Sequence, residues 1–447
     1  MPSAGAPGGA RSASPDRIGS FGPVTASGRP HVVVVGGGFG GVAAVRALRD
    51  AAVDVTLVDR NAYNTFQPLL YQVATAALNP GDITFFLRAL RGRQQNVQVR
   101  NAAVTDVDPK AQTVGMENGE TLRYDYLILA TGVTTNYFGV PGAAEHSFAL
   151  YTRAEALAMR DRLFARLEEV ATNRPEAGVN IVIVGGGPTG VEMAGSLSEL
   201  RNVAQSVFYP ELDPDRTRIV LVEMSEHLLT PFIPRLRKYT ARTLAKRGVE
   251  LRLSTTVKEV RGDGVIVNDG EFILADLVIW ASGIKAADVV SGWGFPQGKG
   301  GRIEVDDGLC VKGFDNVFAV GDIALTPLPQ VAQPALQGGK HAGRQIAALV
   351  SGEPTKPFNY WDKGILAVIG RSSGVAQIKH VPGFAGLPAW LVWIFIHIVY
   401  LLDNRNRFST LVNLSVRYIF WRRHPVAIVG EVPTPAGQAP TQSTSTS

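Results

Sequence analysis

Two stretches of nearly the same sequence constrain what this chain can fold into. Residues 32–41 read VVVVGGGFGG, and residues 181–190 read IVIVGGGPTG. Each is a β-branched run that ends in a G-x-G-x-x-G turn and opens a segment of helical character, the pattern of a dinucleotide-binding βαβ unit. The two copies therefore predict two dinucleotide sites, with these glycines in contact with the phosphates: Gly36, Gly38 and Gly41, then Gly185, Gly187 and Gly190.

An acidic residue follows each glycine turn at the end of the next apolar run. Asp59 comes after residues 55–58, and Glu223 comes after residues 219–222. A carboxylate at this position accepts hydrogen bonds from ribose hydroxyls and repels a 2′-phosphate, which favours NAD over NADP. Arg216 and Arg218 stand just before the second run, so the exclusion of NADP stays open at this point.

The repetition continues beyond the glycines. Residues 125–132 read DYLILATG and residues 276–283 read DLVIWASG, so each unit has a further buried strand that ends at a glycine, Gly132 or Gly283. These matches predict an α/β fold of two Rossmann-like domains, the second inserted in the first, as in two-dinucleotide flavoproteins.

Composition excludes several other classes. The chain has 447 residues, is 45% hydrophobic and has a formal charge of +5, which suits two or three folded domains. Outside the C-terminal region it lacks the dense basic face expected of a nucleic-acid-binding protein. Cys310 is its one cysteine, so neither an intrachain disulfide nor a C-x-x-C redox pair is possible. The seven histidines show no ligand spacing, and we expect no metal site.

Two further motifs identify a family. Residues 66–74, FQPLLYQVA, and residues 332–338, AQPALQG, resemble the type II NADH dehydrogenases, which are single-subunit, non-proton-pumping NADH:quinone oxidoreductases of the respiratory chain. The resemblance covers roughly residues 30–423. It implies that FAD binds the first glycine motif and NADH the second. Hydride then passes from NADH to FAD, and two electrons pass to a membrane quinone, either menaquinone or ubiquinone.

The resemblance also assigns cofactor-binding residues. Phe66 and Gln67 would lie along the flavin, although an ordered loop without a binding role is the alternative for this segment. Asp322, at the end of the run 317–320, can accept hydrogen bonds from the ribityl hydroxyls. The remaining cofactor-binding candidates follow the two repeats: Asp59, Arg60, Thr131 and Gly132 in the first, Glu223 and Gly283 in the second.

Four polar side chains are candidates for the catalytic chemistry. Glu192 lies in the first turn of the second helix, where the first copy has Ala43. The resemblance implies a proton relay, and the alternative is a carboxylate that only stabilises the helix N-terminus. Gln333 and Gln337 bracket a helix start that would face the flavin, and the Gln333 amide suits a quinone carbonyl. Lys379 is a weaker quinone-pocket candidate, since a surface lysine fits equally well.

The C-terminal region predicts membrane contact. Residues 387–402 are apolar except for His397 and would reach about 24 Å as a helix, less than the ~30 Å of a bilayer core. Residues 403–407 break this run before a second, amphipathic helix. We expect both helices to lie in one leaflet, with these residues at the headgroups: Trp390, Trp393, Trp421, Arg405, Arg407, Arg422 and Arg423. Burial of the helices against the domain or a second subunit is the alternative.

The expected domain boundaries follow from these motifs. An FAD-binding domain takes residues 29–148 and 284–360, an NADH-binding domain takes 149–283, and a membrane-association region takes 361–424. Residues 1–28 and 425–447 are expected to be disordered tails. The expected enzyme is a peripheral homodimer on the cytoplasmic face of the inner or plasma membrane. The alternatives are a soluble NADH-dependent ferredoxin or rubredoxin reductase and a non-catalytic NADH-sensing flavoprotein.

Overall fold

A computed structural model describes residues 28–268 and 270–419 of the chain. Apart from Gly28, the two predicted tails lie outside the described residues. The same holds for Trp421, Arg422 and Arg423, which were expected at the headgroups.

The first repeat forms a five-stranded parallel sheet. Residues 32–35 and 127–129 of its central strands are wholly apolar because both faces of the sheet are covered, as is usual for parallel sheets. Helix α1 (Phe39–Ala47) follows the central strand, and helix α8 (Ala332–Val350) packs beside it. The strand order is β21 (Val317–Ala319), β9 (Tyr126–Leu129), β1 (His31–Val35), β2 (Asp54–Asp59) and β5 (Val97–Asn101).

The second repeat forms a second five-stranded parallel sheet with helix α5 (Pro188–Glu199) after its central strand. The likeness extends to the start of the central strands, where Asp125 accepts from the His31 amide and Asp276 from the Asn180 amide. The order is β11 (Phe148–Ala149), β18 (Leu277–Trp280), β12 (Asn180–Val184), β13 (Arg218–Val222) and β14 (Val249–Arg252).

Antiparallel strands complete the two units and begin a third region. Each unit has a three-stranded meander: β6 (Val104–Asp108), β7 (Thr113–Met116) and β8 (Thr121–Arg123), then β15 (Val257–Arg261), β16 (Gly264–Val267) and β17 (Glu271–Leu274). The third region contains β23 (Ile365–Val368), β24 (Gly374–Gln377) and β25 (Phe384–Gly386). Two-stranded pairs are β3 (Tyr63–Thr65) with β4 (Thr84–Phe86), β10 (Thr134–Thr135) with β19 (Ile284–Lys285), and β20 (Ile303–Glu304) with β22 (Ala324–Leu325).

Helix α4 (Arg153–Asn173) lies between strands β11 and β12 of the second sheet, and it begins where residues 152–155, TRAE, predict a capping box. The Thr152 hydroxyl accepts from the Glu155 amide at 3.2 Å, and the Glu155 carboxylate accepts from the Thr152 amide at 2.7 Å, which closes a capping box. The sequence also predicts a helix near residues 82–90, and this prediction is wrong, because the segment contains β4 between two short 3-10 turns. The remaining helices before the C-terminal region are α2 (Leu70–Ala74), α3 (Ala143–His146), α6 (Ser206–Phe208) and α7 (Pro234–Lys246).

Helix α9 (Leu387–Tyr400) packs one face on strands β23–β25 and exposes the other. Trp390 and Trp393 belong to the packed face and are buried, so the prediction that they mark the headgroup boundary is wrong. The run is apolar all round, and its sequence does not tell the inner face from the outer one. The outer face carries an exposed stripe at every fourth position: Leu387, Leu391, Phe395 and Val399.

Helix α10 (Asn404–Ile419) is attached to the protein through its polar side chains. Ser409 and Asn413 donate to the two carboxylate oxygens of Asp82, at 2.5 Å and 2.7 Å, and Thr410 donates to the Asp82 carbonyl. Its apolar face carries three exposed side chains, Phe408, Leu411 and Val412. Among the helices of residues 28–268 and 270–419, none combines the length and the apolar character needed to cross a bilayer.

Replacement of Asp82 is predicted to loosen α10. Asp82→Ala leaves Ser409 and Asn413 without their acceptor, and hydrogen bonds to a charged group contribute about 1.5–3 kcal/mol each. We expect trypsin to cleave at Arg405 and Arg407 roughly tenfold faster than in the wild type, as followed by mass spectrometry. Asp82→Asn keeps one acceptor and should cleave at an intermediate rate. Equal rates for all three proteins would contradict the tether.

Candidate functional site

The two glycine turns have the same geometry. Gly36 and Gly185 have φ angles of +104° and +114°, in the region where a side chain is strained. A Cβ at Gly41 would lie 1.8 Å from the Gly36 carbonyl oxygen, and one at Gly190 would lie 1.9 Å from that of Gly185. The first and third glycines of each copy are therefore required by the turn itself.

The middle glycine of each turn faces open space. Gly38 and Gly187 stand at the N-caps of α1 and α5, and neither helix start has a side-chain cap. A Cβ at either glycine would meet no atom within 4 Å. The amide groups of both helix starts are thus open to a ligand on this side, as the binding of a pyrophosphate requires.

The two acidic residues are fixed beside the turns by main-chain hydrogen bonds. Asp59 accepts from the Gly37 amide at 2.6 Å, and Glu223 accepts from the Gly186 amide at 2.5 Å. Burial raises the pKa of Asp59. Arg60, the neighbouring candidate, is exposed. Each carboxylate is thus positioned where it could accept hydrogen bonds from the ribose of a bound dinucleotide.

Arg216 and Arg218, the two arginines that could favour binding of NADP, lie at the other end of strand β13. Arg218 is the first residue of that strand and pairs with Glu250 at 2.7 Å. At about 3.3 Å per residue the strand separates it from Glu223 by roughly 16 Å. Arg216 donates to the Glu176 carbonyl on the same side. Neither guanidinium stands beside the Glu223 carboxylate.

Strands β9 and β18 end beside the glycine turns of their own sheets. The Ala130 amide donates to the Val35 carbonyl, and the Ala281 amide donates to that of Val184, both at 2.8 Å. Gly132 and Gly283 follow with left-handed φ angles of +67° and +72°. Thr131 precedes Gly132 and is half-buried, and its hydroxyl donates to the Gly132 carbonyl at 3.5 Å.

Asp322 and Gln67 meet through a tyrosine that the motifs do not mark. The Tyr151 hydroxyl accepts from the Val133 amide at 3.4 Å and lies close enough to the Asp322 carboxyl to interact with its charge, and Gln67 donates to the Tyr151 carbonyl at 3.1 Å. Burial raises the pKa of Asp322 to about 6 and that of Tyr151 to about 12. The two sequence candidates are thus held together at the carboxyl end of the first sheet.

A row of buried and half-buried rings connects the first nucleotide cradle to helix α9. Phe66 makes edge contacts with Phe39 at 5.6 Å and with His397 at 6.0 Å, measured between ring centroids. His397 in turn stacks on Trp393 at 3.8 Å. Burial lowers the pKa of His397 to about 4, so its ring is neutral and Nδ1 donates to the Trp393 carbonyl. Phe66 therefore belongs to a packed ring cluster.

Glu192 lies at the far end of these rings. Its Oε1 accepts from the Trp393 indole nitrogen at 3.1 Å and from the Val368 amide at 3.3 Å. The side chain is buried, and burial raises the pKa of Glu192 to about 8. The carboxyl is therefore protonated at neutral pH and can give up a proton close to physiological conditions.

The two glutamines line a cavity of about 940 Å³ between α1, α8 and residues 353–363. Both polar atoms of the Gln337 side chain are engaged by the Trp361 main chain at 3.0 Å, so this residue orients the loop around Trp361. The side-chain amide of Gln333 makes fewer hydrogen bonds than that of Gln337. The cavity wall also contains Lys363, which donates to the Tyr400 hydroxyl at 2.7 Å. Lys379 lies in an exposed turn after β24 and is not part of this wall.

Comparison with known proteins identifies the family. The model of the pyridine nucleotide-disulphide oxidoreductases matches residues 30–339. Two type II NADH:quinone oxidoreductases of Mycobacterium tuberculosis are 37% and 34% identical to this chain; the alignments cover 92% and 90% of it, and 92% and 91% of those proteins. The chain belongs to the type II NADH:quinone oxidoreductase family. The NDH2 of Plasmodium falciparum, solved in complex with NADH, has the same fold as this chain. The two structures align with a TM-score of 0.80 at 20% identity, over 88% of this chain and 99% of that one.

The type II family predicted from residues 66–74 and 332–338 is thus confirmed, and so is the α/β fold class. Sequence reasoning missed Tyr151, Lys363 and the role of Trp393. Tyr151 precedes a capping threonine, and Trp393 lies in a uniformly apolar run, so neither position carries a local signal of its partner. His397 was noticeable as the one clearly polar residue of that run.

The glycine geometry predicts a separable loss of each ligand. Gly38→Ala and Gly187→Ala place a methyl group in open space, so the chain should fold while the pyrophosphate is kept away. We expect Gly38→Ala to lose bound flavin, measured by visible absorbance, and Gly187→Ala to keep flavin but bind NADH about tenfold more weakly. Gly262→Ala, also in open space but in a distant turn, is the control. Retention of full flavin in Gly38→Ala would contradict this placement.

Proposed function

We propose that this chain oxidises NADH and reduces a membrane quinone without pumping protons. The observation that carries the proposal is the link from two nucleotide cradles, through buried rings and Glu192, to a helix with an exposed apolar stripe. An enzyme that takes its electrons from a water-soluble dinucleotide and gives them to a lipid-soluble quinone needs both a nucleotide site and an apolar surface. The relatives at 37% and 34% identity carry that activity in their names.

The residues present fit the two dinucleotides. For FAD, the first cradle offers the open start of α1 at Gly38, the Asp59 carboxylate for the ribose and Asp322 for the ribityl chain. Gly187 and Glu223 offer the same arrangement to NADH in the second cradle. Bound FAD would supply the hydride acceptor and the two-electron donor. The chain supplies binding, orientation and electrostatics.

The site residues divide the remaining work. The buried Glu192 carboxyl holds a proton that quinone reduction consumes. The Gln333 amide offers a donor to the quinone carbonyl, and Gln337 acts as a positioning residue through its hydrogen bonds to Trp361. Lys379, in its exposed turn, has the weakest claim to a role.

The exposed stripes of α9 and α10 support attachment to a single leaflet. Phe395 and Phe408 are 69% and 70% exposed, and the polar side of α10 is engaged by Asp82. Helices that bury their other face in the protein can insert only their outer side chains. We place the protein on the cytoplasmic face of the inner or plasma membrane, where NADH is available, as a peripheral homodimer.

Replacement of Gln333 should separate the two half-reactions. Gln333→Ala removes an amide that faces the quinone and leaves the NADH cradle unchanged. In stopped-flow measurements we expect flavin reduction by NADH to stay within about twofold of wild type, while reoxidation by a short-chain quinone slows by roughly tenfold or more, the worth of one lost hydrogen bond. Gln95→Ala, on an exposed turn, is the control. Equal slowing of both half-reactions would refute the role of Gln333.

Glu192 should give the protein a characteristic pH dependence. Its folded pKa of about 8 lies above the ordinary value of 4.5, so the folded state binds the proton more tightly. The stability that this proton contributes is complete below about pH 4.5 and is lost as the pH rises towards 8. We expect the melting temperature of wild type to fall over this range, and that of Glu192→Gln to fall less.

The same substitution tests the proton role. Quinone-driven reoxidation in wild type should decline above about pH 8, where the Glu192 carboxyl loses its proton. In Glu192→Gln the rate should be lower throughout and should lack this step. A step near pH 8 that survives in Glu192→Gln would assign the titration to another group.

A further inference from the structure

Four arginines converge where α1, the 3-10 turn Leu87–Gly92 and the start of α10 meet. Arg46 comes from α1, Arg49 from the turn after it, Arg93 from the end of the 3-10 turn and Arg407 from α10. Together they line a cavity of about 260 Å³. These segments are distant in the chain, so the cluster exists only in the folded protein.

The positive charge of this arginine cluster is largely uncompensated. Arg93 pairs with Asp403 at 3.3 Å, and Arg407 donates to neutral oxygens of Leu401 and Asn404. Within the part of the chain that the structure describes, Arg46 and Arg49 form no ion pair with a carboxylate. Burial and the charges of the other three arginines lower the pKa of Arg46. Four guanidinium groups thus share one carboxylate, and an anion in the cavity would relieve their repulsion.

The cluster continues into the larger cavity. The two cavities share Arg46 and Leu402, and the larger one adds Lys340, Arg344 and Lys356 against the single carboxylate of Glu353. Basic side chains therefore extend from the arginine cluster into the wall of the larger cavity, which elsewhere is mostly apolar and contains Gln333.

The location of the cluster suggests the kind of anion. Leu402 in the cavity wall lies two residues after α9, and Arg407 is adjacent in sequence to the exposed Phe408. The apolar stripe of α9 thus ends, and that of α10 begins, within a few residues of the cavity wall. A ligand that satisfies both has a negatively charged head and a long apolar tail.

We propose that the arginine cluster binds the headgroup of an acidic phospholipid when α9 and α10 rest on the membrane. The inference depends on the membrane attachment proposed above and adds selectivity for anionic lipid. Guanidinium groups bind phosphate oxygens in a planar, paired geometry. Apolar insertion combined with cationic attraction gives firmer attachment than either contact alone.

Vesicle sedimentation of the full-length flavoprotein tests the proposal. We expect wild type to bind vesicles that contain about one-third phosphatidylglycerol at least tenfold more tightly than vesicles of phosphatidylcholine alone, with the difference shrinking at high salt. Arg49→Gln/Arg93→Gln should lose most of this preference. Because two surface charges are removed, its affinity for the acidic vesicles should fall about ten- to thirtyfold. Its binding to phosphatidylcholine and its turnover of a soluble short-chain quinone should not change.

The matched control is Lys110→Gln/Arg123→Gln. It removes the same charge from two exposed residues near and within the meander β6–β8 and should lose less than threefold. An equal loss in both double variants overturns the proposal, because the attraction would then come from net charge. A change of oligomeric state in Arg49→Gln/Arg93→Gln, seen by light scattering, also overturns it and assigns the cluster to an interface between copies.

A second pair of substitutions separates this inference from membrane attachment itself. Phe395→Ser/Phe408→Ser should weaken binding to both kinds of vesicle. Equal binding of wild type to acidic and neutral vesicles overturns the lipid-headgroup site and leaves attachment intact. If wild type binds neither, attachment fails, and the lipid site fails with it. Stabilisation of wild type by inorganic phosphate, without any preference for acidic vesicles, would assign the cluster to a soluble anion instead.

Discussion

The close approach of helices α1 and α8 is the constraint on which the first nucleotide site depends. A Cβ at Gly339 would lie 2.0 Å from the Gly40 carbonyl oxygen, and one at Gly343 would lie 2.7 Å from that of Ala44. The contacts advance in step along both helices, so the helices run parallel, and α8 begins six residues, roughly 9 Å, before its contact with the start of α1. Both N-termini, with their positive ends, therefore point the same way at two successive levels. Glycine at these contacts permits the close spacing, and the two levels would suit the pyrophosphate and the ring of one extended flavin dinucleotide.

The second unit repeats the sheet and the glycine turn but covers its helix differently. A Cβ at Gly195 of α5 would lie 2.7 Å from the main chain of Ile369, so the third antiparallel sheet takes the place that α8 has in the first unit. Helix α9 packs over that sheet and brings Trp393 to Glu192. At the equivalent position of the first unit, Ala43 lines an open cavity. The second copy thus gains a buried carboxyl because α5 packs against strand β23, whereas α1 packs against α8.

The predictable parts of this structure are those specified by local pattern. The strands His31–Val35 and Asn180–Val184 follow from β-branched runs, and the start of α4 follows from Thr152 and Glu155. Glu192 could be selected from the sequence because the repeat supplies an internal comparison with Ala43. Its partner could not, since Trp393 is one of many apolar residues in its run and the contact joins distant parts of the chain. For the same reason both buried tryptophans of α9 were assigned to the lipid boundary: hydrophobicity predicts that a side chain avoids water, but not whether protein or lipid replaces that water. Tyr151 and the four arginines likewise become a site only after folding.

The two C-terminal helices show why the proposed attachment to lipid would not disturb the site. Helix α10 is bound to Asp82 through Ser409 and Asn413, and α9 is bound through Trp393, so both inner faces are already engaged. The outer side chains, such as Phe395 and Phe408, cost on the order of 1 kcal/mol each in water and release that free energy when lipid covers them. Lifting α9 from the protein would instead expose Glu192, whose proton is held by burial. The inner contacts therefore oppose any rearrangement of α9, and the membrane can bind its outer face while the rings and the carboxyl beneath it keep their geometry.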